Sequence, residues 1–188
     1  MNNYYKDNLT EFIENTINCD MTAQYNYFLK HMPKNGNILD LGFGSGRDMI
    51  YFTSIGYNVY GIDPTDDFVD IMKNKGYNVK NATAQSMDYH NLFDGIWACA
   101  SLLHVPSNEL NLAFSNCEKA LKDNGILYCS FKYGTFERER NGRVFTDLNE
   151  DLLNTYLKNT NLKLVDTMIT TDVRPDKDEK WLNVILKK

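Results

Sequence analysis

A chain of 188 residues is long enough to bury a core as one domain without disulfide or metal support. A hydrophobic share of 43% with 24% charged residues is an ordinary composition for a water-facing globular protein. The net charge of −5 counts against a nucleic-acid-binding surface, which needs a basic field, and no apolar run reaches the roughly 18 residues a membrane span requires.

The polar start MNNYYKDNLTEF lacks a basic stretch followed by an apolar one, so no leader is expected and the chain reads as cytoplasmic. Residues 8–32 carry Leu9, Phe12, Ile13, Ile17, Tyr25, Phe28 and Leu29 at near-helical spacing, which predicts a helical segment ended by Pro33 and Gly36. Tyr4 and Tyr5, just ahead of it, are candidates for a lid. Residues 37–41, NILDL, predict a first strand. A helix follows over 47–54, closed by Gly56, and YNVYGI at 57–62 is a second strand running into Asp63-Pro64. A helix over 66–75, with Phe68, Val69, Ile71 and Met72 as its apolar side, stops at Gly76 before a third strand at 77–80.

GIWACA at 95–100 predicts a buried fourth strand, and 107–122 an amphipathic helix with Ser107 as its N-cap. Asn124-Gly125 turns into ILYCSFK at 126–132, the fifth strand. The polar run ERERNGR at 137–143 reads as a solvated loop. A helix over 149–158 precedes strands at 162–169 and 181–186, joined by a polar loop around Arg174-Pro175.

Strands alternating with helices imply βαβ units and a parallel sheet covered on both faces. The last two strands leave no room for a helix between them, so they are expected as an antiparallel hairpin at one edge. The fold expected is a Rossmann-like, doubly wound α/β domain with a seven-stranded, mostly parallel sheet. It spans residues 1–188, with 1–35 as a helical lid segment and 36–188 as the core.

Cys19, Cys99, Cys117 and Cys129 form no C-x-x-C pair and read as reduced cysteines. His31, His90 and His104 lack ligand spacing, so no metal site is expected.

The first strand ends in Asp40-Leu41-Gly42-Phe43-Gly44-Ser45-Gly46 and opens directly into a helix. Glycine at every second position lets the backbone turn sharply and approach a ligand closely. The second strand ends in Asp63, placed to accept hydrogen bonds from both hydroxyls of a ribose. A dinucleotide fingerprint spaced from Gly42 needs glycine at position 47, where Arg47 stands. Asp40 puts a carboxylate beside the loop, awkward for a pyrophosphate but suited to the cationic amino end of a methionine moiety.

The pattern D-x-G-x-G-x-G followed by an acid at the end of the second strand resembles motif I of class I S-adenosylmethionine-dependent methyltransferases. The likeness continues in Phe93–Trp97 with Ser101–Pro106, and in LKDNGIL at 121–127, where L-K-P-G-G is usual. Gly44-Ser45-Gly46-Arg47-Asp48 and the short length are nearest to small bacterial methyltransferases of the tellurite-resistance type.

The resemblance implies S-adenosylmethionine as cofactor and S-adenosylhomocysteine as product. It implies a cofactor site of Asp40, Gly42, Gly44, Gly46, Arg47, Asp63 and Pro64, with Thr83, Ala84, Gln85, Ser86 and Ala100. The family's acidic adenine ligand is missing here, leaving Thr83 or Gln85 to accept that bond. His104, as a possible proton acceptor, with Lys132, Tyr133 and Arg143, follows the fourth and fifth strands and is expected on the acceptor side, where Arg174 can join an anion-recognising rim. Trp181 reads as edge packing. A small-molecule acceptor is expected, with no nucleic acid and no membrane, in a monomer or homodimer. A non-catalytic S-adenosylmethionine-binding module and a nicotinamide-dependent oxidoreductase stay open as alternatives.

Overall fold

A computed structural model describes residues 8–174 and 177–188; Tyr4, Tyr5 and Pro175 lie outside the described residues. Two helices, α1 (Leu9–Ile17) and α2 (Thr22–Leu29), precede β1 (Asn37–Leu41), α3 (Arg47–Ser54), β2 (Asn58–Asp63), α4 (Asp66–Asn74), β3 (Asn78–Asn81) and β4 (Phe93–Ala98). After a 3₁₀ turn at Leu102–His104 come α5 (Leu110–Ala120), β5 (Leu121–Lys132), β6 (Glu137–Arg140), β7 (Arg143–Thr146), α6 (Glu150–Leu157), β8 (Lys163–Thr171) and β9 (Lys180–Lys187). Seven strands form one sheet in the order β3-β2-β1-β4-β5-β9-β8, and β6 pairs with β7 apart from it. Pairing is parallel from β3 through β5 and antiparallel for β5–β9 and β9–β8, so the edge hairpin stands where the sequence puts it.

Alternation along the strands divides the core. Ile38, Trp97, Tyr128 and Ile185 point to one face, where Phe28 of α2 and Phe52 of α3 meet them. Their neighbours Leu39, Ile96, Leu127 and Val184 point to the other, against Phe114 of α5. Trp97 stacks on Tyr128 with ring centroids 4.0 Å apart and planes 12° from parallel. Strands buried on both faces read as unbroken apolar runs, which is why NILDL and ILYCSFK stand out.

Three elements differ from the sequence reading. The long N-terminal helix is two, because Asp20 turns the chain and its Oδ1 accepts the Thr22 N–H at 2.9 Å. Residues 107–109 form a 3₁₀ turn before α5, and Leu121-Lys122 already belong to β5. The run 137–143 is no loop. Asn141 (φ 52°) and Gly142 (φ 68°) make a two-residue hairpin turn of the left-handed kind between β6 and β7.

Strand order reverses between β1 and β4, so the crevice for a ligand opens at their carboxyl ends. The glycine loop, Asp63 and the segment after β4 all arrive there.

Candidate active site

A cavity of about 550 Å³ opens at that edge, and a smaller one of about 140 Å³ shares Gly42, Pro64, Ser101 and His104 with it. Helix α1 covers the large cavity with Glu11, Phe12, Asn15 and Thr16.

Gly42, Gly44 and Gly46 have φ of 76°, 49° and 80°, backbone that side chains rarely adopt. Their reasons for being glycine differ. A Cβ on Gly42 would sit 2.5 Å from Ser101 Cβ, and one on Gly46 2.4 Å from Met72 Sδ. Those two glycines let the loop pack on its own protein, and Gly46 does not line either cavity. Only a Cβ on Gly44 would head for the cavity roof, 3.0 Å from the Phe12 ring.

Asp63 is buried at the end of β2. Its Oδ2 accepts the Gly44 N–H at 3.0 Å and its Oδ1 the Thr65 N–H at 2.8 Å. Burial pushes its carboxyl up, opposed by those two backbone donors. Asp63 therefore clamps the glycine loop as well as facing the cavity.

Asp40 lines neither cavity. It is 2% exposed beneath the loop, and burial together with the charge of Asp48 pushes its carboxyl well above the usual range. Its Oδ2 has no hydrogen-bond partner among the described residues. Direct contact between Asp40 and a ligand is thus not what the geometry offers, because Asp40 is still inside β1, buried one residue before the strand ends at Leu41.

Arg47 lines the cavity but is already engaged. Its Nε and Nη2 donate to the two oxygens of Asp48 at 2.6 and 2.9 Å, and Nη1 to the Thr16 carbonyl at 3.3 Å. Asp48 also accepts from Tyr25 Oη at 2.6 Å and Trp97 Nε1 at 2.8 Å. This hub joins α2, α3 and β4 at the cavity floor. Its members are far apart in sequence, and nothing local marks Asp48 as more than a helix-start acid.

In the segment after β3, Thr83 and Ser86 bond each other through side chain and backbone, with Thr83 N–H to Ser86 Oγ at 3.0 Å. Asn116 Nδ2 donates to the Ala84 and Gln85 carbonyls at 3.0 and 2.9 Å. Thr83, Ala84 and Gln85 line the smaller cavity; Ser86 lines neither. Gln85 Nε2 donates to Glu109 at 2.7 Å, leaving its side-chain Oε1 as the group able to meet a ligand. Ala100, at φ 50°, is held by its N–H on Ser130 Oγ at 2.8 Å and lines the large cavity.

His104 borders both cavities. Its Nδ1 lies 2.7 Å from the Val144 carbonyl, which requires a proton on Nδ1 and puts the lone pair on Nε2. Its ring meets Phe145 edge-on at 4.8 Å. Burial, with smaller contributions from Arg143 and Lys132, lowers its pKa to about 4 from an ordinary 6.5. The unfolded imidazole then takes up a proton before the folded one. Stability from this residue is full above pH 6.5 and expected to fall by about 3 kcal/mol as pH drops from 6.5 toward 4. Urea unfolding of wild type and His104→Asn across that range checks it; equal pH slopes for the two proteins would remove His104 as the cause.

Lys132 lines the cavity but is ion-paired with Glu179. Arg174 is likewise held by Asp172, which accepts from its Nε at 2.9 Å and Nη2 at 2.6 Å. Tyr133 turns away from both cavities; its hydroxyl donates to Glu150 at 3.0 Å. Arg143 lines the cavity from β7, and Trp181 lines it too, its Nε1 donating to Asp172 at 3.2 Å. Arg138 and Phe145 of the ribbon face the same space. The sequence signal for them is Asn141-Gly142, a hairpin turn that gives the flanking residues strand alternation. Among the described residues no group of three or more His, Cys, Asp or Glu side chains is placed to hold a metal, and no helix is long and apolar enough to cross a membrane.

Residues 39–129 match a family model described as a methyltransferase domain, a stretch that runs from β1 into β5 and ends before Lys132 and the ribbon. A protein of Staphylococcus carnosus (strain TM300), named an uncharacterized methyltransferase, is 26% identical over 93% of this chain and 90% of its own length. Among solved structures, the 1,6-didemethyltoxoflavin-N1-methyltransferase of Burkholderia thailandensis, with 1,6-didemethyltoxoflavin and S-adenosylhomocysteine bound, superposes with a TM-score of 0.79. It is 20% identical, covering 98% of this chain and 83% of that one. A SAM-dependent methyltransferase of Methanosarcina mazei superposes at 0.77, with 17% identity over 87% of this chain and 97% of that one. The family model and the Staphylococcus relative support the methyl-transfer reading of the glycine loop.

Proposed function

We propose that this chain, an S-adenosylmethionine-dependent methyltransferase of class I, methylates a small molecule held between His104 and the β6–β7 ribbon. The observation that carries the reading is a single cavity with two chemically distinct ends. One end is the glycine loop with Asp63; the other is lined by His104, Lys132, Arg138 and Arg143. A volume near 550 Å³, roofed by α1, lies within the roughly 300–1,000 Å³ of small-molecule sites. The tellurite-resistance type is the subgroup that the Gly44–Asp48 run supports. A single cytoplasmic domain, with residues 1–35 as its lid, completes the reading.

The residues present fit the cofactor. Gly44 leaves a cradle that a Cβ would fill, and Asp63 supplies a buried carboxylate whose oxygens each retain acceptor capacity for a ribose hydroxyl. Thr83 and the side-chain Oε1 of Gln85 are the groups suited to an adenine edge. When bound, S-adenosylmethionine supplies an electrophilic methyl whose bond to sulfur breaks as the acceptor's lone pair attacks, the electrons staying on sulfur.

The chain's own work is positioning and exclusion of water. His104, neutral with its lone pair on Nε2, accepts a hydrogen bond from the acceptor's N–H or O–H and orients its nucleophilic lone pair. Its low basicity makes it a guide more than a strong base, and solvent can take the final proton.

Calorimetry tests the cofactor site: micromolar binding of S-adenosylmethionine and S-adenosylhomocysteine (roughly −8 kcal/mol) is expected, with none comparable for NAD. A screen of small-molecule extracts for S-adenosylhomocysteine release tests turnover. Release only in the presence of protein or RNA fractions would overturn the small-molecule reading.

A further inference from the structure

The β6–β7 ribbon sorts its charges by face. Arg138 lies opposite Phe145 and Arg140 opposite Arg143, while Glu137 and Glu139 lie opposite Thr146 and Val144. Cross-strand partners share a face and successive residues alternate, so the three arginines and Phe145 project together. All four line the large cavity, and neither glutamate does. Glu137 instead ties the other face down, accepting the Ser107 N–H at 2.5 Å and the Thr146 hydroxyl at 3.1 Å. On the cavity face, Lys132 Nζ lies 5.2 Å from the Phe145 ring centre, and the guanidinium carbons of Arg138 and Arg143 lie 5.6 and 5.2 Å from it.

Cations gather at the ribbon end of the cavity. Glu11, Asp48, Asp63 and Arg47 line the loop end, and Lys132, Arg138, Arg140, Arg143, Arg174 and Lys177, with the two acids Asp172 and Glu179, the other, in a chain whose net charge is −5. Some of these cations have internal counterions: Arg138 pairs with Asp147, Lys132 with Glu179 and Arg174 with Asp172. Arg140 has no ion pair among the described residues. It stands directly across the ribbon from Arg143, flanking the turn. Directly opposed residues of a two-stranded pair are neighbours on one face, so both guanidinium groups are carried to the same side of the ribbon. An oxyanion between two guanidinium groups accepts charge-assisted hydrogen bonds from both.

We propose that the methyl acceptor is an anion, and that Arg140 and Arg143 on the cavity face of the ribbon take its carboxylate or phosphate. Arg138, Lys132 and Phe145 line the approach. The inference rests on the methyl-transfer reading, and its test keeps the two apart.

Protein loaded with S-adenosylhomocysteine is titrated calorimetrically with benzoate, phenyl phosphate and inorganic phosphate, and with neutral benzamide. Anion binding at least about tenfold tighter than benzamide is expected, weakening as salt is raised. Benzoate against the two phosphates separates a carboxylate site from a phosphate site. The double variant R140Q/R143Q is expected to lose that preference about tenfold or more and keep its affinity for S-adenosylhomocysteine. Benzamide binding as well as the anions, no anion binding up to about 10 mM, or anion binding unchanged in R140Q/R143Q each overturns the proposal. A fall in S-adenosylhomocysteine affinity in that variant also overturns it, assigning the two arginines to the cofactor's own carboxylate. Failure of wild type to bind S-adenosylhomocysteine overturns the cofactor reading beneath it.

Discussion

Asp48→Ala is expected to lose about 3–5 kcal/mol of folding stability, the usual range for breaking a buried ion pair by removing one partner. The carboxylate accepts from the Arg47 guanidinium, the Tyr25 hydroxyl and the Trp97 indole, within 2.6 to 2.9 Å. Without it, Arg47 keeps only the Thr16 carbonyl at 3.3 Å, with its side chain 18% exposed. Tyr25 and Trp97, which sit in one aromatic cluster, lose this acceptor in the same step. For a domain of this size the loss corresponds to roughly 10 °C in melting temperature. Arg47→Met in the Asp48→Ala background is expected to recover part of it, since the stranded charge goes as well. Urea unfolding of the two singles and the double measures this. A fall under about 1 kcal/mol for Asp48→Ala would mean that the pair is solvated rather than buried.

Asp63→Ala is expected to lower cofactor affinity about ten- to hundredfold, from the loss of a charge-assisted acceptor worth on the order of 1.5–3 kcal/mol. The geometry adds a second consequence. Both Asp63 oxygens already hold backbone N–H groups, of Gly44 in the loop and Thr65 before α4. Alanine releases both, so a modest drop in melting temperature accompanies the loss of binding. Asp63→Asn separates the effects. One amide oxygen can still hold one backbone donor, but the negative charge toward the ribose is gone. Calorimetry on folded protein decides: unchanged cofactor affinity in both variants would leave Asp63 as a loop clamp and nothing more.

The fold and the loop end of the cavity were legible in the chain because their signals are local. Apolar runs bounded by glycine and turn residues announce strands buried on both faces, and the D-x-G-x-G-x-G run sits where the first of them stops. Even there the reasons needed coordinates. Gly42 and Gly46 look like Gly44 in sequence, yet a Cβ on them would meet Ser101 and Met72, and one on Gly44 the Phe12 ring of the cavity roof. Asp40 looks like a ligand-facing acid and lies buried beneath the loop.

What tertiary structure alone decided is everything that depends on partners distant in sequence. Asp48 becomes a hub because α2 brings Tyr25 and β4 brings Trp97 to it. Lys132 and Arg174 look available in sequence and are neutralised by Glu179 and Asp172. Tyr133 follows directly after Lys132, and strand alternation sends it to the opposite side, onto Glu150. His104 owes its proton placement to a carbonyl on a ribbon some forty residues later. A sequence states local propensity and periodicity outright. Charge pairing, burial and hydrogen-bond satisfaction arise between segments, so they exist only once the sheet has brought those segments to one edge.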